Sequence, residues 1–329
     1  MENFAFMLKT YKGDFERACN LVASYTKHNI DAIKLFIVVD HEDWSLFKDI
    51  ESEIVRLISS RDLNVEFLSL NHRLAVKFHS TPGYVNQQIV KLSFWETGLC
   101  QNYLCLDSDG EFIRDFRFED FMYDENTPFT IGVEDKDLKA DPYWYSVWGR
   151  GRDSRIATIK SFLLMEDIKN VKTCHGFQIL SSKHLKLFKE LVMTPKQMSY
   201  LDILAIAPME FGWYNLFLYK EPYDIHYVEP LFKCYHYANQ YLVDKMLGLQ
   251  NQDLARSYLG IVVNGNFQPK NRQINAQSSL AKIIGLYIPS RIIIRSFLFK
   301  FPIKGRILKH YMKTKIVRTK FKKKLTTSP

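Results

Sequence analysis

Cysteine is scarce and shows no pairing pattern: five residues (Cys19, Cys100, Cys105, Cys174, Cys234), an odd number, with no CxxC among them. That excludes a disulfide framework and a zinc ribbon, and it fits a reducing compartment. Long apolar runs are also missing. The nearest, over 200–219, is broken by Asp202, Pro208 and Glu210, and a charged pair at mid-membrane would be costly. Buried helix and turn are expected there instead. The opening Met-Glu-Asn-Phe-Ala-Phe-Met-Leu-Lys has an acidic second residue and too short an apolar stretch for a secretory h-region. No repeat of roughly 20–50 residues is present. A composition 47% hydrophobic and 25% charged excludes a disordered chain. The 329 residues suit one large domain or two modest ones, at ~150 residues each. Aromatic residues, at 14%, suit ring-lined clefts and interfaces better than a long coiled coil.

Acidic residues are absent after Asp253. Of the 45 Lys and Arg, 17 fall in residues 254–329, leaving 28 to face all 36 Asp and Glu in an acidic body. The overall charge of +9 therefore belongs to the tail. Such asymmetry points to an anionic partner for the tail alone. After Pro289, Ile292, Ile293, Ile294, Phe297, Leu298 and Phe299 alternate with Arg291, Arg295 and Lys300. Beyond Pro302, Ile307, Leu308, Tyr311, Met312 and Ile316 interleave with Arg306, Lys309 and Lys313. Neither run is long enough to span a membrane, but both can lie in its interface with cations on anionic headgroups. This favours an anionic membrane surface over nucleic acid as the partner, and divides the chain into a body over 1–250 and a basic amphipathic helical segment over 251–329.

The first 110 residues alternate β-rich runs with amphipathic stretches, the pattern of a mostly parallel, Rossmann-like α/β sheet flanked by helices. Strands are expected at 4–8, 34–39, 65–68 and 103–106. Helices are expected from Asp14 to about Asn29, from Trp44 to Ser60, and through Gln87, Gln88, Lys91 and Trp95. A loop-rich insertion is expected over 124–151, then helix at 156–168, strand at 176–180 and helix at 183–192.

The sharpest chemical feature is Tyr103-Leu104-Cys105-Leu106-Asp107-Ser108-Asp109, a hydrophobic strand ending in two carboxylates. Ligands bind at the carboxyl ends of strands in open α/β sheets. If the backbone stays extended, Asp107 and Asp109 project to one side as hard oxygen ligands for Mn²⁺ or Mg²⁺ bridging a diphosphate. Gln87, Gln88 and Lys91 share a helix face, from which Lys91 can place a cation near the diphosphate or Asp109 and the glutamines can hydrogen-bond hydroxyls of a ligand. Glu210, in an apolar run, is the candidate general base, because burial raises a carboxyl pKa. Asp40 ends a strand where it can contact a nucleoside. Among the histidines, His236 is the candidate third metal ligand, ahead of His226, and Cys174-His175 reads as structural.

The stretch Tyr84-Val85-Asn86-Gln87-Gln88-Ile89-Val90-Lys91-Leu92, followed by YLCLDSDGEFIRDF, resembles a bacterial family of GT-A-type glycosyltransferase-like proteins with a QQxxKL helix ahead of an LDSD strand end. Phe36-Ile37-Val38-Val39-Asp40-His41-Glu42-Asp43 also resembles that family. So does Met209-Glu210-Phe211-Gly212-Trp213-Tyr214, with Met and Phe in place of the family's Ser and Tyr. The resemblance covers about residues 1–240. It implies a GT-A-like fold and transfer of a sugar from a nucleotide-sugar donor to a glycan or lipid-linked acceptor; with the basic tail, to which the resemblance does not extend, it points to bacterial surface polysaccharide or lipopolysaccharide synthesis by a cytoplasmic protein held peripherally at the inner membrane face. It also implies nucleoside contact by Asp40 and a late histidine ligand such as His236. A haloacid-dehalogenase-type phosphatase also ends a strand in DxDG, but here three βα units precede the motif and no GDxxxD-like pair follows. An EF-hand fails because Phe112 and Phe118 stand where the loop needs Gly and Glu. A non-catalytic binder of anionic polymers would explain the tail alone.

Overall fold

The computed structural model describes residues 1–68, 81–220 and 223–264. The main sheet has the order β3-β2-β1-β4-β7, from Val55–Ser59, Leu35–Val39, Glu2–Lys9, Cys100–Leu106 and Gln178–Ser181. β1, β2, β3 and β4 run parallel, and β7 lies antiparallel to β4. All five residues of β2 and the last six of β1 are buried. That burial follows from near-continuous apolar sequence covered on both faces. The molecule is thus an α/β protein with mixed parallel and antiparallel sheets and flanking helices.

Helix α1 (Phe15–His28) buries Ala18, Leu21 and Tyr25 at helical spacing, and the Tyr25 hydroxyl donates to the carbonyl of Ile33. Helix α2 (Pro82–Ser93) begins at Thr81, whose hydroxyl accepts from the Tyr84 amide at 3.4 Å, with Pro82 in the first turn where its missing N–H costs nothing. Helix α3 (Arg150–Leu163) precedes β7, and helices α4 (Ser182–Phe188), α5 (Tyr200–Ile206) and α6 (Glu210–Lys220) follow it. The segment over 200–219 is buried helix and turn, as its interrupting residues require.

Several expected elements differ. The helix expected over 44–60 is one α-helical turn, Trp44–Phe47, with a 3₁₀ turn at Lys48–Ile50; Val55–Ser59 is strand β3. The strand expected at 65–68 is absent, and β3 is the strand that pairs with β2. Asp14 makes no side-chain capping bond and pairs with Arg17 at 2.8 Å. The insertion over 124–151 is less loop-like than expected: it contains β6 (Thr130–Ile131) and helical segments Lys136–Ala140 and Pro142–Trp144.

A second sheet, β5-β10-β9, joins Gly110–Phe112, Gly260–Val263 and Phe232–Tyr235, while β6 pairs with β8 (Tyr227–Val228). Phe112 of β5 packs on Phe6 of β1 at 5.7 Å, within a cluster that includes Tyr25, Phe116 and Phe121. The chain divides into two units. The first is Met1–His236 with Gln250–Asn264, so residues 250–264 supply β10 to it. The second is Tyr237–Leu249 with Gly265–Pro329, of which only 237–249 is described, with a helix at Ala238–Met246. The basic runs after Pro289 lie outside the described residues. Among the described residues, no helix is long and apolar enough to cross a membrane.

Candidate functional site

From β1 the chain winds outward to β2 and β3, whereas β4 lies on the other flank of β1. The strand order therefore reverses between β1 and β4, and the carboxyl ends of strands beside such a reversal form a natural crevice. Leu8 is in register with Leu106, and Lys9 with Val38, so Thr10, Asp40 and Asp107 emerge side by side. Ser108 Oγ donates to Thr10 Oγ1 at 2.9 Å and fastens the two strand ends. Lys9 Nζ donates to Asp40 Oδ1 at 2.8 Å, so Asp40 stands at the crevice already partnered.

Three elements, α2, the end of β4 and the sequence-distant α6, meet at Asp107. From α2, Gln87 Nε2 donates to Asp107 Oδ1 at 2.7 Å and Lys91 Nζ meets the same oxygen at 2.8 Å. From the first turn of α6, Glu210 Oε1 lies 3.2 Å from Lys91 Nζ. Tyr103 of β4 donates its hydroxyl to the carbonyl of Lys91 at 2.8 Å, fixing α2 over the strand. Lys91 is only 4% exposed, and its ammonium lies 5.0 Å from the centre of the Phe211 ring. Burial alone would lower its pKa, but Asp107 and Glu210 reverse that and hold it above the ordinary lysine value. The result is a buried Asp–Lys–Glu bridge.

Asp107 and Asp109 do not continue an extended backbone. A turn closes from the Gly110 amide to the Asp107 carbonyl at 3.0 Å, and the Asp109 carbonyl accepts from Val263 of β10 at 3.2 Å. Asp107 faces α2, yet both carboxylates still act on the thiol of Cys234, whose pKa rises to about 12 through burial first, then Asp109 and Asp107. Among the described residues no three His, Cys, Asp or Glu side chains converge as a complete metal cage. The donor set fits a small hard cation that takes one or two carboxylates and completes its shell from water and substrate phosphates.

Gln88 is 1% exposed, and among the described residues neither its amide oxygen nor its amide nitrogen has a hydrogen-bond partner. A buried amide left so costs about 1–3 kcal/mol, a burden that a bound polar ligand relieves. The ring of His236 packs 5.8 Å from Trp144 and 4.9 Å from His175. Burial first, then His175 and Arg152, lower its pKa to about 3. His226 stacks on the exposed Tyr123 at 3.5 Å. A cavity of about 410 Å³ reaches Asp135 and Thr173 but contains none of the residues singled out from the sequence.

Two neighbours of the bridge, Asp14 and Tyr84, are not marked as site residues by the sequence. Asp14 lies in the field of Asp107; burial and then Asp107, against Arg17, raise its pKa. The strand-end argument that selects Asp40 would have found it. Tyr84, one turn before Gln87 and Gln88, is 44% exposed and stands in the field of Glu210, Lys91 and Arg155. No curated protein matches the chain. Residues 5–236, most of its length, match the model of a family of unknown function (DUF6492), and the chain belongs to that family.

Proposed function

We propose that the protein is a metal-dependent glycosyltransferase of GT-A-like, Rossmann-like architecture, moving a sugar from a nucleotide-sugar donor to a glycan or lipid-linked acceptor in bacterial surface polysaccharide or lipopolysaccharide synthesis. One observation carries the reading: Gln87, Lys91, Asp107 and Glu210, from three elements, meet at the carboxyl ends of β1 and β4. A merely structural bridge would not need to stand at the strand-order reversal, beside the orphaned amide of Gln88.

Asp107 and Asp109 would hold Mn²⁺ or Mg²⁺, which supplies Lewis-acid neutralisation of a departing diphosphate. Lys91 places a buried positive charge at the same spot and orients Glu210 through Oε1. The carboxylate of Glu210 accepts the proton of the acceptor hydroxyl, a role that suits direct displacement with inversion. Gln88 offers both halves of its amide to sugar hydroxyls, and Asp40 meets the nucleoside. Cytoplasmic placement at the inner membrane face would follow from the basic tail.

The test is a panel of nucleotide sugars with Mn²⁺, read first by melting temperature and then by sugar transfer or hydrolysis. At least one donor should stabilise the chain, since a ligand of the native state alone shifts the unfolding equilibrium. D107N and D109N should lose Mn²⁺ dependence and turnover, D109N with little loss of fold and D107N with part of the stability that its pairing with Lys91 supplies. Full activity of both variants would end the metal-site reading, and phosphate release from simple phosphomonoesters would favour the phosphatase.

A further inference from the structure

Two arginines of α3 are held in opposite ways. Arg152 donates to Thr173 Oγ1 at 2.8 Å and to the Cys174 carbonyl at 2.9 Å, and its Nε lies 3.4 Å from the buried carboxylate of Asp135, so a second polar group closes on itself beside the Asp–Lys–Glu bridge. Arg155, three residues on, is exposed and makes no ion pair or hydrogen bond among the described residues. Its side chain runs back along α3, with Nη2 3.9 Å from where a Cβ on Gly151 would stand, the direction that helical side chains take.

Packing between α3 and α6 fixes where that guanidinium lies. Ile159 Cδ1 stands 3.2 Å from the position of a Cβ on Gly212, and the Phe162 ring meets the Trp213 ring edge-on at 5.3 Å. The two helices advance together, so the turn before Ile159, which carries Arg155, lies toward the start of α6 and Glu210. Tyr84 approaches the same place from α2. It stands two turns before Lys91 on the same helix face, and its hydroxyl makes no hydrogen bond among the described residues. Four charges act on its phenol, Glu210 most strongly, then Lys91, Arg155 and Asp107. Since Glu210 outweighs Asp107, which bears the same charge, the phenol stands on the Glu210 side of the bridge, within the field of the guanidinium.

Around the crevice the other charges are matched: Lys9 with Asp40, Arg17 with Asp14, and Lys91 with Asp107 and Glu210. A guanidinium without a carboxylate of its own suits an anion that arrives with a ligand, because its planar fork binds phosphate or carboxylate through paired hydrogen bonds. The Tyr84 hydroxyl is a further donor to the same group. We infer that Arg155 and Tyr84 bind an anionic group of the acceptor, a phosphate or carboxylate next to the hydroxyl that Glu210 deprotonates. The inference rests on the glycosyl-transfer reading and names the class of acceptor within it. The donor diphosphate is the other source of such an anion, and competition tells the two apart.

Binding of glucose 6-phosphate, glucuronate and glucose is measured calorimetrically, first in EDTA and then with Mn²⁺ and whichever of UDP, GDP and CMP binds. Both acids should bind in either state, and glucose should not. R155Q should weaken the acids by about tenfold or more, the scale of hydrogen bonds to a charged group. R155K keeps the charge without the fork and should lose less, and Y84F should lose about fivefold. R150Q removes the same charge from the exposed first residue of α3, and its effect should stay under about twofold. The assignment is overturned if the nucleotide displaces the acids, which would make the seat that of the donor diphosphate, or if R150Q and R155Q weaken them alike. It is also overturned if glucose binds as tightly or neither acid binds. In each case a wild-type chain that binds a nucleotide with Mn²⁺ leaves the transfer reading standing; if no nucleotide binds, both fall.

Discussion

Replacing Lys91 by methionine isolates the buried bridge. The substitution keeps an unbranched chain of similar length in α2 and removes only the charge that joins Asp107 at 2.8 Å to Glu210 at 3.2 Å. Removing one partner of a buried ion pair costs roughly 3–5 kcal/mol, because the other charge is left without compensation. The two carboxylates are not stranded equally. Asp107, 31% exposed, retains Gln87 and water; Glu210, 10% exposed, does not. The loss should therefore sit near the lower end, ~3 kcal/mol, which lowers the melting temperature by about 6–12 °C for a unit of this size. Denaturant titration checks it: the midpoint falls at constant slope. Adding E210Q should recover about half of the loss, because the stranded charge is gone. Since Lys91 titrates above its ordinary value in the folded chain, its contribution is whole below the unfolded lysine pKa of ~10.4 and is lost only as pH rises through the higher folded value. The gap between wild type and K91M should stay level from neutral pH to about pH 10. A K91M variant within ~1 kcal/mol of wild type, or a double variant weaker than the single, would refute the reasoning.

Three further outcomes are expected. E210Q should lower turnover by roughly a hundredfold or more while the donor still binds, and a collapse of donor affinity instead would make Glu210 a binding residue. Q88M should stabilise the free chain by about 1 kcal/mol by removing an orphaned amide, yet weaken the sugar donor; destabilisation would mean the amide has a partner. Deleting residues from Ser279 onward should release the chain from anionic liposomes and spare transfer to a small soluble acceptor, whereas unchanged or salt-insensitive binding would overturn the membrane reading.

The elements legible in the sequence are those whose apolar pattern is local. β1, β2 and β4 are near-continuous apolar runs, and α1 and α2 carry a clear helical stripe. Val55–Ser59 was hidden because Ile50, Ile54, Leu57 and Ile58 also fit a helical spacing, and short apolar runs do not distinguish the two periods. β5, β9 and β10 find one another across about half the chain, which no local window can register. The same division runs through the site. Gln87, Lys91 and Asp107 stand within one βα unit and were readable, but the closure of the bridge by Glu210, 119 residues away, was not. His175 read as structural because no companion ligands stand beside it in the sequence; its neighbours Asp135 and Arg152 lie more than 20 residues upstream.

The wall between the two polar groups is made partly of thiols. Cys105 lies in the field of Lys91, Glu210 and Asp107, and Cys174 in that of Arg152, Glu210 and Asp135. Both are buried, and burial pushes Cys174 up to about 12 and Cys105 well above the ordinary range. Since only the thiolate attacks an alkylating reagent, neither can be labelled while the wall is shut, whereas the partly exposed Cys19 stays accessible as an internal standard. The rate at which a small iodoacetamide reaches Cys105 and Cys174, relative to Cys19, is therefore a stopwatch for opening of the crevice. It runs on the natural sequence with no label added, and any ligand that seats between the two groups slows it.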